Sequence, residues 1–223
     1  MNDLTLLIPA NKEAESLPVF LTELKRFNFK KLIVLQKEDQ ETFESISNFN
    51  DINFHYQDEK GYGNALIEGI NKINTKYFCI INADGSMDPA YLEEMLKLCL
   101  DKDFVFASRY RKNAGSDDDT LLTKVGNFCF TLIGKIFFSL KISDILYTYV
   151  LGRTSSFKQL DLKSKNFNIC VELPIKAERN KMNYTDFPSK ERPRIAGFKK
   201  VNEFRDGFNI LYYLIESYFN KKK

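Results

Sequence analysis

Tyr77-Phe-Cys-Ile-Ile-Asn82-Ala-Asp84-Gly-Ser86-Met-Asp88-Pro89 is the stretch that decides how this chain folds. Tyr77 to Ile81 is a short unbroken apolar run, the pattern of a strand buried on both faces, and it stops at a cluster of oxygen-bearing side chains. Two chemistries fit that cluster. A hard divalent cation takes one or two carboxylates together with phosphate oxygens and waters, and Asp84, flanked by Asn82 and Ser86, can supply the protein's share. A strand-to-helix turn needs no ligand, and Asp88 directly before Pro89 is ordinary capping chemistry for a helix over Pro89 to Leu100.

Strand and helix patterns alternate outward from this point. Leu4 to Ile8 is another buried strand, opening into a loop at Pro9. Glu13 to Phe27 has helical spacing, with Ser16 and Pro18 as cap and first-turn residues. Lys31 to Leu35 and Ile52 to Tyr56 read as strands, Glu38 to Phe49 and Gly63 to Asn74 as helices, and Phe104 to Ala107 as a further strand. This alternation predicts an α/β fold, a mostly parallel central sheet flanked by helices. Ligands of such sheets gather beyond the carboxyl ends of the strands. Those ends are Pro9–Glu13, Gln36–Asp39, Gln57–Gly63, Asn82–Asp88 and Ser108–Arg111. After Tyr110 come a polar loop, Lys112 to Asp119, an apolar segment, Val125 to Leu140, and a basic loop-like stretch, Asp186 to Lys200.

The chain has 223 residues, enough for one sizeable catalytic domain, expected over 1–205, with an amphipathic helix and basic tail over 206–223 as part of the same unit. Its 33 Lys plus Arg against 30 Asp plus Glu leave a formal charge of +3, too little for a bulk nucleic-acid binder. Cys79, Cys99, Cys129 and Cys170 lack the paired spacing of a zinc site or disulfide framework and read as reduced core residues. The N-terminus carries no export signature, so a cytoplasmic location is expected and the Asn183-Tyr-Thr185 sequon is accidental. No stretch reaches the ~20 apolar residues of a bilayer span. Val125 to Leu140, interrupted by Lys135, and Phe208 to Phe219, followed by three lysines, suit either core helices or helices lying among lipid headgroups.

Three further motifs are weak alone. Gly61-Tyr-Gly63 ahead of a helix either brings backbone N–H groups to an anion or is a plain tight turn. Ser108-Arg109-Tyr110 places an arginine at a strand end. Arg192-Pro-Arg194-Ile-Ala-Gly197-Phe-Lys199-Lys200 suits phosphate, because guanidinium forks bind its oxygens bidentately, but also reads as a solvated basic loop.

Taken in order, these pieces resemble family-2 glycosyltransferases of the GT-A fold, and most closely the branch of dolichol-phosphate mannose synthase and bacterial polyprenyl-phosphate glycosyltransferases. The resemblance runs from about Leu4 to about Leu214. The family's opening Pro-Ala-Tyr-Asn-Glu reads Pro9-Ala10-Asn11-Lys12-Glu13, its Gly-x-Gly-x-Ala-Leu is Gly61 to Leu66, and its metal-binding Asp-x-Asp is Asn82-Ala83-Asp84. Its Gly-Ser-Arg-Tyr is Ala107 to Tyr110, and its late Arg-x-x-Gly-x-Ser-Lys is Arg194 to Lys200. The chain departs at the second strand, where Gln36-Lys37-Glu38 replaces Asp-Asp-Gly-Ser, and at Asn82, which brings an oxygen without charge.

The resemblance implies transfer of a sugar from a nucleotide-diphosphate donor to a polyprenyl phosphate, with inversion and with Mg²⁺ or Mn²⁺. Pro9, Ala10, Glu13, Gln36, Gly61, Gly63 and Asn82 would hold the nucleotide. Asp84, with Asn82 and Ser86, would hold the metal, and Arg194, Lys199 and Lys200 the acceptor phosphate. Asp84, Arg109 and Asp144 are the catalytic candidates. A lipid phosphate is already an anion at pH 7 and needs no histidine base, so His55, the sole histidine, is a bystander. Transfer to a saccharide hydroxyl is the alternative and wants a carboxylate base, for which Asp144 or Glu172 is available. A degenerate, non-catalytic nucleotide-sugar binder is a third reading. A nucleotidyltransferase should show a Gly-rich loop after strand one, which Pro9 to Ser16 lacks. Membrane contact would be peripheral, with a homo-oligomer or a membrane partner protein left open.

Overall fold

The computed structural model describes residues 3–197 and 203–220. Strand β1 is Leu4–Pro9, followed by helix α1 (Leu17–Leu24), β2 (Lys30–Leu35), α2 (Gln40–Ile46), β3 (Asn53–Tyr56), α3 (Tyr62–Lys72) and β4 (Tyr77–Ile80). A single 3₁₀ turn, Pro89–Tyr91, leads into α4 (Leu92–Cys99), then β5 (Phe104–Ser108), a two-residue β6 (Gly115–Ser116) and the long α5 (Leu121–Phe138). The remainder is β7 (Val150–Arg153), α6 (Thr154–Gln159), α7 (Ile169–Arg179), β8 (Tyr184–Pro188), β9 (Lys190–Glu191) and α8 (Glu203–Phe219).

Seven strands form one sheet in the order β3-β2-β1-β4-β7-β5-β8. The strands of the alternating half pair in parallel, β1 with β2 and β4, and β2 with β3. β7 is wedged antiparallel between β4 and β5, and β8 adds in parallel at the edge. Because successive side chains of a strand point to opposite faces, Leu4, Leu6 and Ile8 enter one core layer and Leu7 the other. The first layer is closed by α1, α2 and α4 through Phe20, Ile46 and Met95; the second by α3, α6 and α7 through Leu66, Phe157 and Val171. The fold is the α/β architecture that the alternation predicts.

Two strands escape a reading by pattern. β7 is four residues with Gly152 inside it, and a Cβ there would sit 2.5 Å from the Phe104 ring. β8 mixes polar and apolar residues as an edge strand, so the stretch expected as loop from Asp186 begins as sheet. Lys112–Asp119 likewise contains β6, which pairs with β9. Ser16 makes no side-chain cap and instead bonds Glu13 Oε2 at 2.5 Å, while Asp88 does cap its turn through Ala90 N. Three cysteines are buried as expected, but Cys129 is exposed.

The last two long helices stand apart. α5 is capped by Thr120 and covers eighteen residues, long and apolar enough in composition to cross a membrane. It buries only Asn127, Thr131 and Gly134, leaving Leu121, Val125, Phe128, Leu132 and Ile136 exposed. α8 tucks Ile210 and Leu214 into the second core layer and exposes Phe204, Phe208, Tyr212 and Phe219. Phe137 and Tyr218 meet edge to face at 5.3 Å, which joins the two apolar faces.

Candidate active site

A pocket of about 690 Å³ opens at the carboxyl ends of β1, β2, β3 and β4, as expected for such a sheet. Pro9, Ala10, Glu13, Gln36, Gly61, Asn82, Asp84, Ser86, Arg109 and Arg194, all expected site residues, line it. Lys199 and Lys200 lie outside the described residues.

At the mouth of β4 the oxygen cluster is tightly arranged. Asp84 Oδ1 accepts from Ser86 N at 3.1 Å and Ser86 Oγ at 2.8 Å, which turns Oδ2 outward. Asn82 Oδ1 accepts from the Tyr62 hydroxyl at 3.1 Å, and the Tyr62 ring stacks on Phe167 at 4.7 Å. A carboxylate, an amide oxygen and a hydroxyl on one turn are hard donors, so the residues present fit Mg²⁺ or Mn²⁺, with the second carboxylate of the motif missing. At the β2 and β3 ends, two amides face the pocket. Gln57 Nε2 is bonded to the carbonyls of Glu59 and Gly61, both at 3.0 Å, which leaves its Oε1 as an acceptor.

The glycine pair serves packing more than anion binding. Gly61 has φ +123°, and a Cβ on it would lie 2.3 Å from Lys165 O; a Cβ on Gly63 would lie 1.9 Å from Ser164 O. The N–H of Asn64 is bonded to Lys165 O at 3.0 Å. Gly63 is therefore buried under the 164–166 loop and does not line the pocket, contrary to its expected nucleotide role.

Arg109 is the centre of an ionic knot. Its Nε and Nη2 hold Asp144 at 2.7 and 3.0 Å, its Nη1 lies 3.2 Å from both Asp119 and Glu191, and its guanidinium stacks 4.5 Å over Tyr147. Burial works against this charge, but Asp144, then Glu191 and Asp119, outweigh it and hold the pKa above the ordinary arginine value. Asp144 also accepts from Arg109 N and Asn127 Nδ2, is fully buried and does not line the pocket. It is a scaffold for Arg109 and is out of reach as a base. Glu172 is equally committed, to the N–H groups of Lys163 and Ser164 and to Lys176 Nζ.

Besides Asp206 at the start of α8, three further carboxylates of the pocket are not among the site residues expected from the sequence. Asp118 and Asp119 come from the polar loop before α5, and Glu191 from the basic loop, where β9 and a bridge to Met87 bring it against the Asp84 turn. Glu191 Oε2 takes Ser116 Oγ at 2.5 Å and Arg109 Nη1 at 3.2 Å, and burial raises its pKa despite Arg109 and Ser116. Arg194 bonds Asp118 Oδ2 at 2.8 Å and reaches Asp84 Oδ2 at 3.6 Å, so Asp118, chiefly, and Asp84 raise its pKa. The Asp117-Asp118-Asp119 run was the available signal for the first two; a lone glutamate among cations gave none.

Residues 5–161 match the model of glycosyl transferase family 2, the stretch from β1 through α6. The chain belongs to glycosyl transferase family 2. It is accordingly a glycosyltransferase. A similar curated relative is the UDP-N-acetylglucosamine–dolichyl-phosphate N-acetylglucosaminyltransferase of Methanococcus voltae, 23% identical, with 94% of each chain covered. Among solved structures, mannosyl-3-phosphoglycerate synthase from Rubrobacter xylanophilus superposes with a TM-score of 0.69 at 14% identity, over 99% of this chain and 74% of that one. Glucosyl-3-phosphoglycerate synthase of Mycobacterium tuberculosis, solved with Mn²⁺, UDP-glucose and glycerol 3-phosphate, gives 0.69 at 9% identity, over 97% and 80%. These likenesses show the GT-A fold.

Proposed function

We propose that this family-2 glycosyltransferase moves a sugar from a nucleotide-diphosphate donor to a polyprenyl phosphate, with inversion, at a membrane surface reached from the cytoplasmic side. The observation that carries the reading is the single pocket wall on which the Asp84 turn and Arg194 stand together, a donor-diphosphate site and an anion anchor side by side. The dolichyl-phosphate acceptor of the M. voltae relative supports it. Pro9, Ala10, Glu13 and Gln36 would receive base and ribose. A divalent ion at Asp84, Asn82 and Ser86 would neutralise diphosphate charge and stabilise the leaving nucleotide. Arg194 would hold the acceptor's phosphate oxygens, and the attacking oxygen, already anionic, needs no base. The exposed faces of α5 and α8 would rest in the lipid interface, with α5 held to the domain by Asn127.

One observation favours transfer to a hydroxyl instead. Among the described residues, six carboxylates line the pocket, Glu13, Asp84, Asp118, Asp119, Glu191 and Asp206, against three guanidinia, Arg109, Arg194 and Arg205. Burial makes the Glu191 carboxylate more basic, and with both side-chain bonds on Oε2 its Oε1 is available to take a hydroxyl proton. The experiment compares a short polyprenyl phosphate with the corresponding alcohol and with simple glycans, over a panel of nucleotide sugars. Lipid phosphate as the preferred acceptor, with loss of product in Arg194→Gln, supports the first reading. Product on a hydroxyl, lost in Glu191→Gln, supports the second.

A further inference from the structure

Arg194 is rooted where it cannot leave the Asp84 turn. Ile195 N donates to Asp84 O and Arg192 N to Ser86 O, both at 2.8 Å, so the backbone on either side is stitched to the loop that carries the carboxylate. From this root the guanidinium reaches Asp84 Oδ2, the oxygen that Ser86 leaves outward, and bonds Asp118 with Nη2 at 2.8 Å and Nε at 3.4 Å. Arg192, one turn of chain away, points elsewhere: it is bonded to both oxygens of Glu23 and to Gly85 O. Among the described residues, Arg194 is the one that places positive charge on the oxygen through which Asp84 faces the pocket.

We infer that Arg194 is the built-in counter-cation of Asp84, that a divalent ion must displace it, and that the displaced guanidinium is then offered to an anionic acceptor. The inference deepens the proposed function, on which the roles of ion and acceptor rest. Two cations cannot share Oδ2 at contact distance without strong mutual repulsion. A guanidinium fork matches a phosphate as well as a carboxylate, so the group that leaves Asp84 keeps its chemistry for the next anion. The tether at Ile195 leaves the side chain as the part that moves.

The test is Mn²⁺ affinity of the full chain, read from the free-ion electron paramagnetic resonance signal with no sugar or acceptor present. Arg194→Gln should bind Mn²⁺ tighter by about tenfold or more, and Arg192→Gln, which removes an equal charge nearby, by no more than about twofold, given screening at a part-exposed site. Equal or weaker binding in Arg194→Gln, or an equal gain in both variants, overturns the inference. Should Arg194→Gln not fold by circular dichroism, the unmodified chain decides: Mn²⁺ should raise the reactivity of Arg194 with phenylglyoxal, read by peptide mass spectrometry, and unchanged or lowered reactivity overturns it. A gain in Mn²⁺ affinity in a chain that makes no lipid-linked sugar removes the lipid acceptor and leaves the exchange at Asp84 standing.

Discussion

Asp144→Asn separates scaffold from catalyst. Asp144 Oδ2 accepts from Arg109 N and Nε, and Oδ1 from Arg109 Nη2 and Asn127 Nδ2. An asparagine that keeps its oxygen on the first pair points its NH₂ at the second, so two buried donors face a donor. Each stranded donor costs ~1–3 kcal/mol, which gives roughly 3 kcal/mol in all. Arg109 still has Asp119 and Glu191 on Nη1, so the cost stays at the low end of the ~3–5 kcal/mol of a broken buried ion pair. For a chain of this length each kcal/mol moves Tm by about 2–4 °C, so the variant should melt roughly 6–12 °C lower. Calorimetry reads the melt, and donor turnover well below it should persist. A Tm equal to the parent's together with abolished turnover would refute the scaffold assignment and return Asp144 to the chemistry.

Other outcomes follow from the same geometry. Gly63→Ala, whose Cβ would sit 1.9 Å from a backbone oxygen, should melt far lower or fail to accumulate as soluble protein, whereas Gly126→Ala, with nothing within 4 Å, should gain stability of about 1 kcal/mol from helix propensity. Because burial raises the Glu191 carboxyl, the folded chain holds that proton more tightly than the unfolded chain, and stability is lost as pH rises from the ordinary value of 4.5 through the folded one. Glu191→Gln cannot ionise, so its Tm relative to the parent should climb over that window; a flat or falling difference contradicts the assignment. In native protein, Cys129 alone should react quickly with Ellman's reagent, since Cys79, Cys99 and Cys170 are buried with thiol pKa values pushed up by burial.

The parallel half of the sheet is readable because its strands are written as short, largely apolar runs, Leu4 to Ile8, broken only by Thr5, and Tyr77 to Ile81 among them. β7 and β8 were not, because a four-residue strand with a glycine and a mixed edge strand carry no periodic signal. At the site, the turn from Asn82 to Ser86 and the arginine of the late loop could be named in advance, since each sits at a strand end or in a recognisable motif. What the sequence hid was pairing at a distance. Asp144 looked like a candidate base until its oxygens were seen filled by Arg109 and Asn127. Glu191 reads in the sequence as one of two acids in a basic stretch, and β9 lays it in the pocket. Glycines announce a close approach without saying to what, and Gly63 approaches Ser164.

In the proposed reaction the Asp84 turn binds a nucleotide sugar through a divalent ion. The most direct measurement is lipid-linked sugar formed from a panel of nucleotide-sugar donors and a short polyprenyl phosphate, with Mg²⁺, with Mn²⁺ and with chelator, for the parent chain and Asp84→Ala. Product from at least one donor that requires both the metal and Asp84 is the predicted result; product that survives chelation or the loss of Asp84, or no product with any donor from the folded parent, contradicts it.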